Sequence, residues 1–223
     1  MIALLTGILA GIIHVWSGPD HLSALAPLSV RIKTRAWIAG VRWGIGHSTG
    51  VAIIGILALW LRELLPVGLL AGWGERVVGV MLIGIGIWGF MKAFKKHLHT
   101  HQHVHDGQGH VHVHFHVQPH EKEHETPHIH MHAALGIGIL HGLAGSSHFL
   151  GILPALAFPS MLQSVVYIAA FGAGTILSMA IFTMMVGYLG TRASANSNRI
   201  YKWLMISVSI AAISVGCFWL IRV

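Results

Sequence analysis

Residues 11–27 read GIIHVWSGPDHLSALAP, and residues 138–154 read GILHGLAGSSHFLGILP. Both fit G-I-x-H-x3-G-x2-H-x5-P, at a constant offset of 127 residues. Glycine-rich apolar segments match one another easily, but paired histidines and prolines at identical spacing do not follow from composition. A weaker correspondence sets Trp43-Gly44-Ile45-Gly46 against Phe171-Gly172-Ala173-Gly174. The chain therefore divides into two related halves, residues 1–96 and 133–223, joined by residues 97–132.

Each half carries three long apolar stretches, at 1–17, 37–61 and 67–91, then at 133–157, 161–189 and 200–221. A helix of about 20 residues crosses roughly 30 Å of hydrocarbon, so each stretch is a candidate span. Only 9% of the residues are charged and 54% are hydrophobic, whereas a soluble domain carries about 25% charged residues. Mean hydropathy is +0.69. The expected fold class is an all-α polytopic membrane protein with six transmembrane helices. Three spans per half is an odd number, so the halves sit in opposite orientation, as a 3+3 inverted repeat. The apolar start, Met1 to Ile13, lacks a basic leader region and a small-x-small cleavage site, and reads as the first span.

The net charge of +7 does not point to nucleic acid, because the basic residues are dispersed among loops. They fall on alternate loops: Arg31, Lys33 and Arg35; Lys92, Lys95 and Lys96; Arg192, Arg199 and Lys202. By the positive-inside tendency, both chain ends lie outside the cytoplasm and segment 97–132 lies within it, in an inner or plasma membrane.

Fourteen of the nineteen histidines occupy that segment. Many alternate with another residue: His97, His99, His101, His103 and His105, then His110, His112, His114 and His116. Such a composition forms no packed core and reads as a flexible, metal-binding tract. The other five, His14, His21, His47, His141 and His148, lie in the apolar spans with Asp20, the one acid well inside a span. Ionisable groups at that depth mark ion or proton pathways. A single histidine would read as an interhelical hydrogen bond, but two pairs related by a repeat, with a carboxylate beside them, read as metal ligands.

His14 and His21 stand two helical turns apart, and His141 and His148 repeat that spacing. In an unbroken helix Asp20 is rotated off their face; a break at Gly18-Pro19 swings it inward. His47 lies among small residues on the second span, and Thr175 aligns with it. Ser146 and Ser147 are further hydroxyl donors beside the second motif. With Cys217 the only cysteine, no thiolate site or disulfide exists within the chain. Imidazole and carboxylate suit divalent nickel and cobalt, and also zinc, manganese or iron. The glycines and methionines read as packing residues.

The segments His14-Val15-Trp16-Ser17-Gly18-Pro19-Asp20-His21 and His141 to His148 resemble the nickel/cobalt transporter superfamily. That group includes nickel-cobalt permeases, efflux proteins and a urease-accessory branch. The histidine-rich cytoplasmic loop is similar to that of the efflux branch. The resemblance implies that His14, Asp20 and His21 recognise a divalent metal ion, carried as substrate.

The resulting expectation is a secondary transporter of nickel or cobalt, not an enzyme, with the histidine tract capturing or buffering the ion. Its partners are the ion and the bilayer, and a homo-oligomer is allowed. Two alternatives are an intramembrane metalloenzyme, although no H-E-x-x-H spacing occurs in the spans, and a metal sensor working through the loop.

Overall fold

The computed structural model describes the backbone of residues 1–61, 67–94, 98–105, 108–115, 127–144 and 147–222, and the side chains of 1–54, 73–94, 133–144, 151–155 and 157–222. The helices are α1 (Ile2–Ser17), α2 (Pro19–Ile32), α3 (Ala36–Leu61), α4 (Val67–Phe94), α5 (Pro127–Ala144), α6 (Ser147–Leu156), α7 (Met161–Asn196) and α8 (Asn198–Arg222). A short 3-10 turn, Lys33–Arg35, joins α2 to α3.

The expected break is present. Helix α1 stops at Gly18, whose extended backbone (φ −93°, ψ 98°) releases the chain, and Pro19 opens α2 at its first position. Proline suits a helix start, where its missing N–H costs no hydrogen bond. The axis turns by 70° between Ile2–Ser17 and the helical run Pro19–Ile54, which takes in α2 and most of α3. With 16 residues, α1 reaches only about 24 Å, short of the straight span expected from residues 1–17, and the bent pair has the form of a broken span or a re-entrant loop.

Among the described residues, Trp73–Phe94, Met161–Asn196 and Asn198–Arg222 are each long and apolar enough to cross a membrane, and the bent pair raises that count to four. Helix α5 contributes a shorter apolar segment, Ala133–Ala144. The protein is thus an integral membrane helical bundle. Large apolar side chains such as Leu5, Leu9, Ile13, Val80, Leu177 and Met184 stand exposed on its outside, where lipid chains replace water. The corresponding stretch of the second motif, residues 145–146, lies outside the described residues.

Small residues set the packing. On α1 the buried positions are Ala3, Gly7, Gly11 and Val15, one every four residues. A Cβ on Gly11 would meet the backbone of Phe171 and Thr175 on α7, and one on Gly7 would meet Tyr167. Such stripes let helices approach backbone to backbone where no hydrophobic effect drives them together. The second half repeats the device: Gly138 lies against Trp43 and Gly142 against His47, joining α5 to α3. Both pairs run parallel. By contrast α3 and α7 run antiparallel, with Gly40 against Met179 and Gly44 against Ile176. So do α4 and α8, through Gly79 against Gly216 and Gly86 against Ser209. A buried cluster of Val15, Leu25, Ala39, Trp43, Ala134 and Met179 draws on both halves.

The histidine tract departs from the expectation. Strands β1 (Leu98–His105) and β2 (Gln108–Phe115) form a two-stranded antiparallel sheet, so the chain is not wholly α and this stretch is not structureless. Alternation of histidine with another residue has a period of two, which is the strand period and not the helix period.

Candidate metal site in the helical bundle

Asp20 sits in the first turn of α2, immediately after the break. Its carboxylate bridges the two halves of the chain. Oδ1 pairs with His21 Nδ1 at 2.9 Å, and Oδ2 pairs with Nε2 of His141, on α5, at 3.1 Å. The bend therefore does what an unbroken helix cannot, directing a residue from the far side of the helix into the shared interior. Asp20 is only 4% exposed, and His21, His47 and His141 are 1% or less. A buried carboxylate is costly unless paired, and two imidazoles supply its partners.

His21 is the hub. With Nδ1 turned to Asp20, its Nε2 faces His14 Nε2 at 3.0 Å. Its ring lies 4.5 Å from that of His14, 5.0 Å from His47 and 4.8 Å from His141. Two groups of donors result, His14–His21–His47 and Asp20–His21–His141, each with ligand atoms within 4.8 Å of one another. In both groups small side-chain adjustments reach the spacing of about 3.3 Å that tetrahedral nitrogens at about 2.0–2.1 Å from an ion require. The carboxylate on Nδ1 favours the tautomer whose Nε2 carries a lone pair toward His14, as orienting carboxylates do behind metal-bound histidines.

Two aromatic side chains frame the site. Trp43 stacks on His47 at 4.8 Å and an interplanar angle of 5°, and Phe171 lies 5.3 Å from His14. Neither was among the expected site residues, yet they align with each other in the repeat, and Trp43 stands one turn before His47 on the same helix face. Thr175 is fully buried, and among the described residues its hydroxyl has no hydrogen-bond partner. It lies one turn after Phe171 on α7.

Of the expected ligands, His14, Asp20, His21, His47 and His141 converge. Ser146 and the side chains of Ser147 and His148 lie outside the described residues, as do His97, His116 and the side chains of the other tract histidines. A cavity of about 220 Å³ reaches the site between Ser17, Gly18 and Asp20 on one side and Trp219 and Arg222 at the end of α8 on the other. The opposite end of the bundle collects positive charge. Arg31 stacks over Trp88 at 5.5 Å, Lys202 over Phe94 at 4.2 Å, and Gly190 packs on Val30. The histidine tract leaves the bundle at that end, after Phe94.

A family model described as cytochrome C biogenesis protein transmembrane region matches residues 2–211. The chain belongs to this family. This member of the cytochrome c biogenesis transmembrane-region family is also similar to two Arabidopsis thaliana proteins, Chloroplast protein FOR GROWTH AND FERTILITY 1 and 2. It is 34% identical to each over 212 residues, which is 95% of this chain and 56% and 54% of theirs. The chain thus spans about half the length of these relatives. It is also 31% identical over 208 residues to Urease accessory protein UreH of Bacillus sp. (strain TB-90), covering 91% of this chain and 83% of that one. The expected resemblance is met in part, through its urease-accessory branch. No solved structure matches. This family member has only Cys217, exposed on α8, so neither a redox dithiol nor a paired haem-attachment motif exists within the chain.

Proposed function

We propose that the protein is a secondary transporter of a divalent transition-metal ion, nickel or cobalt first, and not an enzyme. One observation carries this reading: four histidines from α1, α2, α3 and α5 converge with one carboxylate inside an apolar bundle, next to a helix break. Nitrogen-rich donors with a single negative charge suit borderline divalent ions. They attract a dication without the charge excess that would trap it. Zinc, manganese and iron are the alternative cargoes. The relative named as a urease accessory protein fits a supporting role of this kind.

The ion enters by the cavity beside Ser17 and loses water to His14, His21 and His47. Asp20 holds His21 in register, and the ion then lies beside the second donor group, Asp20–His21–His141, which belongs to both halves. Because α3 with α7 and α4 with α8 pack antiparallel, we read the chain as a six-span 3+3 inverted repeat, a design in which one half rocks against the other around a central site. The basic end is assigned to the cytoplasm, and the cavity opens outward. Asp20→Asn/His21→Ala tests this in sealed vesicles: nickel or cobalt flux should fall at least about tenfold. Flux equal to the parent's would sink the site assignment.

A further inference from the structure

The turn from α7 into α8 reads Asn196-Ser197-Asn198-Arg199-Ile200-Tyr201-Lys202-Trp203. Ser197 leaves the helical conformation (φ −166°, ψ 136°), and its hydroxyl accepts from the Arg199 N–H at 3.1 Å as α8 begins. From there Arg199, Lys202 and Trp203 stand at i, i+3 and i+4, on one face of the helix. With Asn198 they line a depression of about 420 Å³. The Lys202 ammonium is anchored over the Phe94 ring at the end of α4, 4.2 Å from its centre.

The charge at this end has one sign. Arg31 stacks over Trp88, and the backbone of Lys33 lies against Gly187, so both add to it. The acids with described side chains are remote. Asp20, paired with two imidazoles, precedes Arg31 by about 16 Å along α2, and Glu75 precedes Phe94 by about 28 Å along α4. Among the described residues, then, no carboxylate neutralises Arg199 or Lys202. Apolar surface adjoins the cations: Trp203 is 61% exposed, and Ile210, two turns further along the same face, is 50% exposed. Tryptophan favours the headgroup level of a bilayer, where its indole meets lipid on one side and water on the other.

We propose that this depression seats the phosphate of an anionic phospholipid, with an acyl chain lying along Trp203 and Ile210. The Arg199 guanidinium offers a planar fork to phosphate oxygens, and the Lys202 ammonium a point charge beside it. A zwitterionic headgroup would bring its own cation against these two, so the seat selects lipids with net negative charge. A free phosphate would find the same cations but would gain nothing from the apolar stripe below them.

The test uses the full chain in a nonionic detergent, with bound phosphatidylglycerol counted by native mass spectrometry against phosphatidylcholine. The parent should hold one phosphatidylglycerol more tightly than any further lipid, and no phosphatidylcholine in that way. Arg199→Gln/Lys202→Gln should weaken this first lipid at least about tenfold, as expected for losing two cations at a membrane surface. Arg35→Gln/Arg192→Gln removes the same charge outside the depression, and screening should hold its effect below about threefold. Should the first pair yield no folded protein, Lys202→Gln alone is measured, with a loss of about threefold or more expected. Equal weakening by the two double variants, an unchanged lipid in Lys202→Gln, or equal retention of phosphatidylcholine overturns the site. Displacement of the lipid by an equal concentration of glycerol 3-phosphate would assign the seat to a free phosphate and overturn the lipid.

Discussion

Asp20 and its two imidazole partners set the chemistry at the residue scale. The carboxylate accepts from His21 Nδ1 and pairs with His141 Nε2, so one side chain orients donors from both halves. Thr175 presents the reverse situation, a buried hydroxyl with no partner among the described residues. Burying an unmatched hydroxyl costs on the order of 1–3 kcal/mol. Thr175→Val, nearly isosteric, should therefore leave metal-free thermal stability unchanged or higher while lowering ion flux. A clear fall in melting temperature without metal would show that the hydroxyl is satisfied and structural. Lys33 is a second residue with a local constraint: its φ is +60°, in the region that favours glycine. Lys33→Gly should stabilise the α2–α3 connection by about 1 kcal/mol, measurable by thermal unfolding in detergent.

Glycine position, not glycine content, governs the helices. Gly11 and Gly138 each face backbone of a parallel neighbour, whereas a Cβ at Gly84 would meet nothing within 4 Å. Gly11→Leu should force α1 and α7 apart at a cost of about 1–3 kcal/mol or more, lowering the melting temperature and the yield of monodisperse protein. Gly84→Ala should instead raise the melting temperature, by up to about 1 kcal/mol of helix propensity. Equal behaviour of the two variants would contradict the close approach of α1 to α7. The break at Gly18-Pro19 was legible in sequence because glycine followed by proline ends one helix and starts another. The separate helix α2 was not: its residues are apolar enough to pass as a continuation or connector, and only the 70° bend after Ser17 distinguishes it.

For the whole molecule, the separation of the cavity from the basic end matters most. The cavity meets Arg222 at the end of α8, while Arg31, Lys202 and the root of the histidine tract gather at the opposite end. In a Cys217→Ser background, Ser17→Cys should react with a membrane-impermeant thiol reagent added from the side bearing the C-terminus. Bound nickel or cobalt should slow that reaction. Labelling confined to the side bearing the histidine tract would reverse the assigned direction of opening.

The residues of the site were largely visible in the sequence, because ionisable groups inside apolar spans are few and a 127-residue repeat marked four of them as pairs. Apolar length and sparse charge likewise established a helical membrane protein, since lipid leaves backbone hydrogen bonds no partner but the chain itself. Which donors meet was decided only by the tertiary structure. His47 and His141 come from helices far apart in sequence, and small residues bring those helices into backbone contact. Asp20 turns inward only because the chain bends.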